Sequence, residues 1–239
     1  MNIALILAGG QGLRMGENKP KQFIDLLGKP IIIRTLEAFE NHPEIDSIAV
    51  VCLKEWQDEL LALIKQYKIK KVRWIIDAGE NRRQSSYNGV TAIQLDCSER
   101  DIVLIHDAAR PFVSKRIITE NIQNATKYGA CDTVIPTQDT IVKSVDGSIL
   151  DCIPARSELY LVQTPQSFTL KNIVSAHENY SDKKNVEQPE ITDDCGLLLF
   201  AGVPVSMVVG DKFNIKITSV EDLYVGKAII EAMKIGYNG

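Results

Sequence analysis

The stretch Asn2–Phe23, NIALILAGGQGLRMGENKPKQF, decides how the chain is read. It begins as a short apolar run of strand character and passes directly into a segment with four glycines, Gly9, Gly10, Gly12 and Gly16, and three cations, Arg14, Lys19 and Lys21. So many glycines let the backbone approach a ligand closely or turn with positive φ, and the cations mark that ligand as an anion. Spacing excludes two familiar phosphate signatures. After Gly10-x-Gly12, Met15 stands where the dinucleotide fingerprint needs glycine, with Gly16 one place late, and no GK[ST] closes the run as a P-loop requires. What remains is a glycine-rich turn whose amides form an anion nest, flanked by Arg14 and by Lys21 behind the rigid Pro20. A tight structural turn without a ligand is the alternative.

Beyond this opening, apolar runs rich in Ile and Val (SIAVVCL, KVRWII, DIVLIH, DTVIPT) alternate with helical stretches (PIIIRTLEAFE, EWQDELLALIKQY, KRIITENIQNATKYG). This rhythm predicts an α/β fold, a Rossmann-like, mostly parallel twisted sheet flanked by helices, in a single domain over residues 1–239. Pro30 suits the first turn of its helix, and Ser219 with Asp222 forms a capping-box pattern opening the last helix, which runs to about Met233. One stretch breaks the rhythm. Thr140–Ile153, TIVKSVDGSILDCI, reads as two short strands joined at Asp146-Gly147 by a type I′ turn, a β-hairpin arm at about 138–157. Such an arm is either a surface elaboration or a dimerisation device. Tyr180–Glu190, YSDKKNVEQPE, reads as a mobile polar loop.

Composition bounds the partners. With 239 residues, 45% hydrophobic and 24% charged, the chain can bury a sizeable core, and a net charge of −4 leaves no overall basic field for nucleic acid. Five cysteines, Cys52, Cys97, Cys131, Cys152 and Cys195, form no CxxC pair, and an odd number fits reduced thiols in a cytoplasmic protein. The apolar start lacks a basic n-region and no run approaches about 18 apolar residues, so neither export nor membrane anchoring is expected.

LAGGQGLRMGENKPKQF resembles the opening signature of sugar-phosphate cytidylyltransferases, above all the 2-C-methyl-D-erythritol 4-phosphate cytidylyltransferase family and its close relative, the ribitol-5-phosphate cytidylyltransferases. Six further stretches match in order: GENRRQSSYNG (79–89), HDAARPF (106–112), QDT (138–140), RSELYLVQTPQSF (156–168), ITDD (191–194) and NIKIT (214–218). The resemblance implies that an acceptor phosphate oxygen attacks the α-phosphorus of CTP and pyrophosphate leaves. No strong base is required, so catalysis rests on positioning and electrostatics.

By that resemblance Arg14, Lys21 and Lys216 are the catalytic cations around the α-phosphate. Ala8, Gly9, Gly10, Gly12, Gly79, Ser85 and Asp107 bind the nucleotide, with Ser86 the alternative to Ser85. Asp107, at the end of an apolar strand, is the expected Mg2+ ligand, since magnesium prefers carboxylate and phosphate oxygens; without the motif it reads equally as a turn cap. Asn18 and Asp194 are further polar candidates. Lys216 taken alone reads as an exposed strand lysine, and His106 as a structural histidine. The acceptor pocket takes Arg110, Thr164 and Thr192, while Thr140 and Arg156 on the arm serve the neighbouring subunit of a homodimer. The motifs at His106–Phe112 and Ile191–Cys195 place methylerythritol phosphate, for isoprenoid precursors, ahead of ribitol phosphate, for teichoic acid. A non-catalytic nucleotide-binding protein would lose these charged residues, and a hexose-phosphate enzyme using UTP or GTP would lack HDAARP and TPQ.

Overall fold

The structure is a computed structural model and describes residues 1–10, 19–182 and 191–235. Each apolar run forms a strand where expected: β1 (Asn2–Ala8), β2 (Ser47–Cys52), β3 (Val72–Asp77), β4 (Ile102–Asp107) and β5 (Ala130–Pro136). Between and after them lie α1 (Ile31–Glu40), α2 (Gln57–Gln66), α3 (Arg82–Gln94) and α4 (Lys115–Tyr128). The C-terminal part adds β6 (Tyr160–Thr169), α5 (Leu170–Asp182), α6 (Asp194–Phe200), β7 (Ser206–Val209) and α7 (Val220–Lys234). The seven strands form one sheet in the order β3-β2-β1-β4-β6-β5-β7. All neighbours are parallel except at β6, which runs antiparallel to both β4 and β5.

Strand periodicity divides the core. Ala4, Ile6, Ile48, Val50 and Leu104 face α1, α2 and α4, while Ile3, Leu5, Ala49, Val51, Val103 and Ile105 face α3, α5 and α6. Each fully buried Ile or Leu of these layers contributes about 1.5–3 kcal/mol of transfer free energy. A third cluster, Leu26, Ile31, Phe112, Ile217, Ile229 and Ile230, seats α7 against the turn after β4. The capping box of α7 forms as read: Ser219 Oγ accepts from the Asp222 amide, and Asp222 Oδ2 accepts from the Ser219 amide at 2.9 Å. Pro30 sits at the N-cap of α1, one place before its first turn.

Two features depart from the sequence pattern, a strand it did not assign and an arm it assigned differently. Strand β6 contains Pro165 and polar residues, which argue against a strand in a sheet interior. The pairing of β5 with β6 is irregular between Asp132 and Val134, near the proline, so the ladder gives way there. The hairpin arm is the second. Over Thr140–Ile153 the chain makes one isolated antiparallel bridge, Lys143 with Cys152, rather than two strands. A type I′ turn needs positive φ at both central residues, and here only Gly147 has it (φ 73°). Asp146 instead accepts from the Ser148 and Ile149 amides at 2.8 and 2.9 Å, which widens the turn. The loop read at Tyr180–Glu190 starts within α5, and 183–190 lie outside the described residues.

No helix among the described residues is long and apolar enough to cross a membrane.

A buried polar network braces β6. Gln166 donates to Asp132 Oδ1 at 3.1 Å and Asp193 Oδ2 at 3.0 Å, and accepts from the Asp194 amide at 3.1 Å. Burial, with the nearby Asp193 charge, pushes the Asp132 carboxyl up to about 7. A carboxyl raised above its unfolded value of about 3.9 stabilises the fold below that value and loses this contribution as pH rises through 7. Asp132→Asn keeps the acceptor for Gln166 without the charge. It is expected to be more stable than wild type at pH 8.5, by on the order of 4 kcal/mol, with the gap shrinking steadily toward pH 5. Urea midpoints at the two pH values measure this; equal gaps at both would contradict it.

Candidate active site

The site lies at the carboxyl ends of β1 and β4, where an open parallel sheet leaves a crevice. A cavity of about 450 Å³ opens there. Its floor is the end of β1 with Gly9 and Gly10, and one wall is the loop from Gly79 into the first turns of α3. Asp107 to Ala109 at the end of β4 form the opposite wall, with Lys21 and Lys216 entering from separate segments. Of the residues named from sequence, Gly9, Gly10, Lys21, Gly79, Ser85, Asp107 and Lys216 meet in this one cavity. Gly12 and Arg14, with Asn18, lie outside the described residues.

Local chemistry accounts for each placement. A Cβ on Gly9 would lie 2.7 Å from Ala78 Cβ and 3.2 Å from Ser85 Oγ, so only glycine lets the chain leaving β1 lie this close to Ala78, just past β3. Ser85 Oγ accepts from the Gly79 amide at 3.0 Å, whereas Ser86 turns away to donate to Asp194 Oδ1 at 2.5 Å, so Ser85 is the serine at the cavity. Asn81 caps α3 by accepting from the Gln84 amide at 2.9 Å, which aims the positive end of the helix at the cavity. Gln22, buried, donates to the carbonyls of Ala8 at 2.6 Å and Gly10 at 3.1 Å. It thereby ties the short 3-10 turn carrying Lys21 to the glycine segment.

Lys216 arrives not on a strand but on an extended segment stapled across the sheet end. The Ile217 amide donates to Ala109 O at 2.9 Å, Asn214 donates to Thr164 O at 2.8 Å, and Arg110 donates to Asn214 O at 2.8 Å. Lys216 Nζ then meets Asp107 Oδ2 at 3.0 Å, and Arg110 Nε reaches the same oxygen at 3.3 Å. Burial alone would raise the Asp107 carboxyl, but Lys216, then Arg82 and Arg110, hold it well below the usual carboxylate range.

Behind Asp107, the His106 Nε2–H donates to Arg110 O at 3.0 Å, so Nδ1 accepts the Thr164 hydroxyl at 3.0 Å. The Asp107 amide in turn donates to Thr164 Oγ1 at 3.1 Å. Burial lowers His106 to about 4, leaving a neutral structural imidazole. Thr164, itself buried, is thereby engaged beneath the site.

The remaining acceptor candidates lie elsewhere. Thr192 lines a neighbouring recess of about 260 Å³ with Asn81, Arg82 and Asp193. Thr140 and Arg156 are exposed on the segment between β5 and β6, where Arg156 donates to Gln138 O at 3.3 Å, and neither lines the cavity within this chain. Asp194 is buried in an ion pair with Arg82 at 2.7 Å. Sequence reasoning passed over Gln22 and Arg82, although both stand in quoted motifs.

Among the described residues, no group of three or more His, Cys, Asp or Glu side chains could hold a metal ion. The single Asp107 carboxylate fits magnesium that arrives with phosphate oxygens, since that ion keeps few protein ligands.

The model of the family described as 2-C-methyl-D-erythritol 4-phosphate cytidylyltransferase (IspD) matches residues 2–232. The chain is 39% identical to a ribitol-5-phosphate cytidylyltransferase of Vibrio parahaemolyticus over 98% of each chain, and 39% identical to one of Lactiplantibacillus plantarum over 97% of this chain and 99% of that one. Among solved structures it is similar to a 4-diphosphocytidyl-2C-methyl-D-erythritol synthase of Anaerococcus prevotii, with TM-score 0.82 and 29% identity over 97% of this chain and 96% of the other. The 2-C-methyl-D-erythritol 4-phosphate cytidylyltransferase of Francisella tularensis gives TM-score 0.79 and 29% identity over 95% and 98%.

Proposed function

Because the chain belongs to the 2-C-methyl-D-erythritol 4-phosphate cytidylyltransferase family and is a nucleotidyltransferase, we propose that it joins CTP to D-ribitol 5-phosphate, giving CDP-ribitol and pyrophosphate. The observation that carries the nucleotide half is the convergence of Lys21, Lys216 and Asp107 with the Gly9–Gly10 and Gly79–Ser85 backbone around one cavity. The acceptor half is supported by the names of the two curated relatives. This reverses the order in which the motifs ranked the acceptors. That ranking rests on a few positions, Ala108, Ala109, Asp194 and Cys195, all buried, whereas the names of the relatives rest on 39% identity over nearly the whole chain.

In the reaction, an acceptor phosphate oxygen attacks the α-phosphorus while the bond to pyrophosphate breaks. Both partners are anions, so the barrier is charge, and fixed cations in a recess lower it. Lys21 and Lys216 hold the α-phosphoryl oxygens, and Arg14 is assigned beside them from its motif. The Gly9–Gly10 backbone with Gly79 and Ser85 is assigned to the amino and carbonyl edge of cytosine, while Ala8, buried and with its carbonyl held by Gln22, supports that segment from behind and does not line the cavity. Asp107 would hold Mg2+ brought with the triphosphate, and when bound that ion offsets phosphate charge.

The dimer belongs to the same proposal. Ile141, Val142, Val145, Ile149, Leu150 and Ile153 are all exposed on the segment that carries Thr140 and Arg156, an apolar surface suited to a second copy of the chain. In that arrangement Thr140 and Arg156 complete the acceptor pocket of the partner.

A pyrophosphate-release assay with CTP and Mg2+ tests the acceptor. A kcat/KM at least about 10²-fold higher for ribitol 5-phosphate than for methylerythritol 4-phosphate is expected. The opposite preference would return the chain to the reaction after which its family is described.

A further inference from the structure

Where α6 meets the sheet, two carboxyl groups share one amide. Gln166, on β6 and fully buried, uses both amide hydrogens: Nε2 donates to Asp132 Oδ1 on β5 and to Asp193 Oδ2 at the N-cap of α6. Its Oε1 accepts from the Asp194 amide at 3.1 Å, and Asp193 Oδ1 accepts from the Gly196 amide at 2.8 Å, closing the first turn of the helix. One side chain thus ties the start of α6 to two strands. We infer that these groups form a proton-controlled latch: with one proton on the Asp132–Asp193 pair the first turn of α6 is held to the sheet, and loss of that proton lets it swing out. The latch belongs to the fold and does not rest on the reaction proposed above.

Like charge is the reason. A neutral amide can serve one carboxylate and one carboxylic acid, but two ionised carboxylates sharing it out of water repel each other. Among the described residues no facing group gives the pair a cation by direct contact. From α3, Arg82 bonds Asp194 and Arg83 lies over the Tyr180 ring; at the end of β4, Arg110 bonds Asp107. From α6, the Cys195 thiol is pushed well up by burial and stays neutral. From α5, His177 comes within 3.8 Å of Asp194, but burial lowers its ring to about 4 and neither nitrogen has a hydrogen-bond partner. On β5 the Cys131 thiol is pushed up to about 12, and on β7 it is the uncharged Met207 that pairs with Asp132.

Within the pair, Asp132 takes the proton and Asp193 keeps the charge. Asp132 is 8% exposed, and burial first, with the Asp193 charge, brings its carboxyl to about 7 against the Gln166 hydrogen bond. Asp193 caps a helix start, which favours an anion, and lines the open recess beside Thr192. When Asp132 ionises, β5 and β6 stay locked in their ladder. The cap of the seven-residue α6 can turn into the recess. That turn carries Asp194, so its release also slackens the 2.7 Å ion pair with Arg82 at the rim of the main cavity.

The sign follows from the two states. The Asp132 carboxyl titrates near 7 with the latch closed and near its ordinary value of about 3.9 with it open. The closed form is therefore favoured at low pH, and the ratio of open to closed rises from about pH 4 to 7 and is level above that.

Hydrogen exchange of the whole chain, corrected for the intrinsic pH dependence of exchange, reads the latch. Between pH 5.5 and 7.5 the Asp194 and Gly196 amides are expected to lose protection about tenfold or more in wild type and less than about threefold in Asp132→Asn. Their protection should lie below that of the central β1 amides, which marks a local opening rather than global unfolding. A carbon-13 titration of wild type needs no variant: the Asp132 carboxyl should titrate near pH 7, with the Gly196 amide shift moving at the same midpoint. Equal pH dependence in the two chains, α6 amides exchanging no faster than those of β1, an Asp132 midpoint below pH 5, or a Gly196 amide that does not follow Asp132 would overturn the latch.

Discussion

Lys21→Ala and Lys216→Ala are each expected to lower kcat by about 10²- to 10³-fold, the usual result of deleting one group aimed at transition-state charge. The two lysines reach the cavity from segments almost 200 residues apart in sequence, yet neither is an element of the core. Loss of Lys21 should therefore leave urea midpoints close to wild type, while loss of Lys216, the first counter-charge of Asp107, should lower the midpoint modestly with the fold kept by Arg110 and Arg82. Because each contributes most when negative charge moves toward the leaving pyrophosphate, the effect should appear in kcat more than in the CTP KM. Near-normal turnover in both variants would mean that the cavity is not where phosphorus is attacked.

Asp107→Asn is expected to act on turnover and on stability together. Among the described residues the carboxylate is the anion that Lys216 and Arg110 share, and removing its charge leaves Arg110 buried with no ion-pair partner among them and only the more distant Asp132 to offset it. Loss of one partner of a buried pair costs about 3–5 kcal/mol, reduced here toward about 2 kcal/mol because Lys216 is more than a third exposed. Turnover should fall by at least about 10²-fold, with the magnesium concentration needed for half-maximal rate rising. The acid limb gives an independent reading. Asp107 is held below its unfolded value, so its stabilisation is complete above about pH 4 and is lost as pH falls below that. The Asn variant should lack this part of the acid sensitivity; identical acid profiles would contradict the pairing.

Much of the fold could be read from sequence, because strands β1 to β5 and helices α1, α2 and α4 are local patterns of period 2 and 3.6. What escaped was set by tertiary context. β6 goes unassigned, since Pro165 and its polar neighbours carry no strand pattern, and its antiparallel pairing with β4 and β5 depends on neighbours that no local window contains. The arm failed as a hairpin because a two-stranded ladder with no packing partner is marginal, and the Asp146 side chain captures the amides of its own turn. In the site, Lys21, Asp107 and Lys216 were legible through motifs. Arg82 was hidden by its neighbour Arg83, although helical spacing held the signal: Arg82, Ser85, Ser86 and Gly89 fall on one face of α3, and Arg83 goes instead to the Tyr180 ring. Gln22 was invisible for another reason, since its work is done on backbone carbonyls that no motif displays.

The most direct measurement is an experimental structure of the chain with CTP bound. Lys21 Nζ and Lys216 Nζ should both lie within about 3 Å of oxygens on the α-phosphate, with cytosine against Gly79 and Ser85. A nucleotide seated elsewhere, or a triphosphate touching neither amine, would contradict the account at its centre.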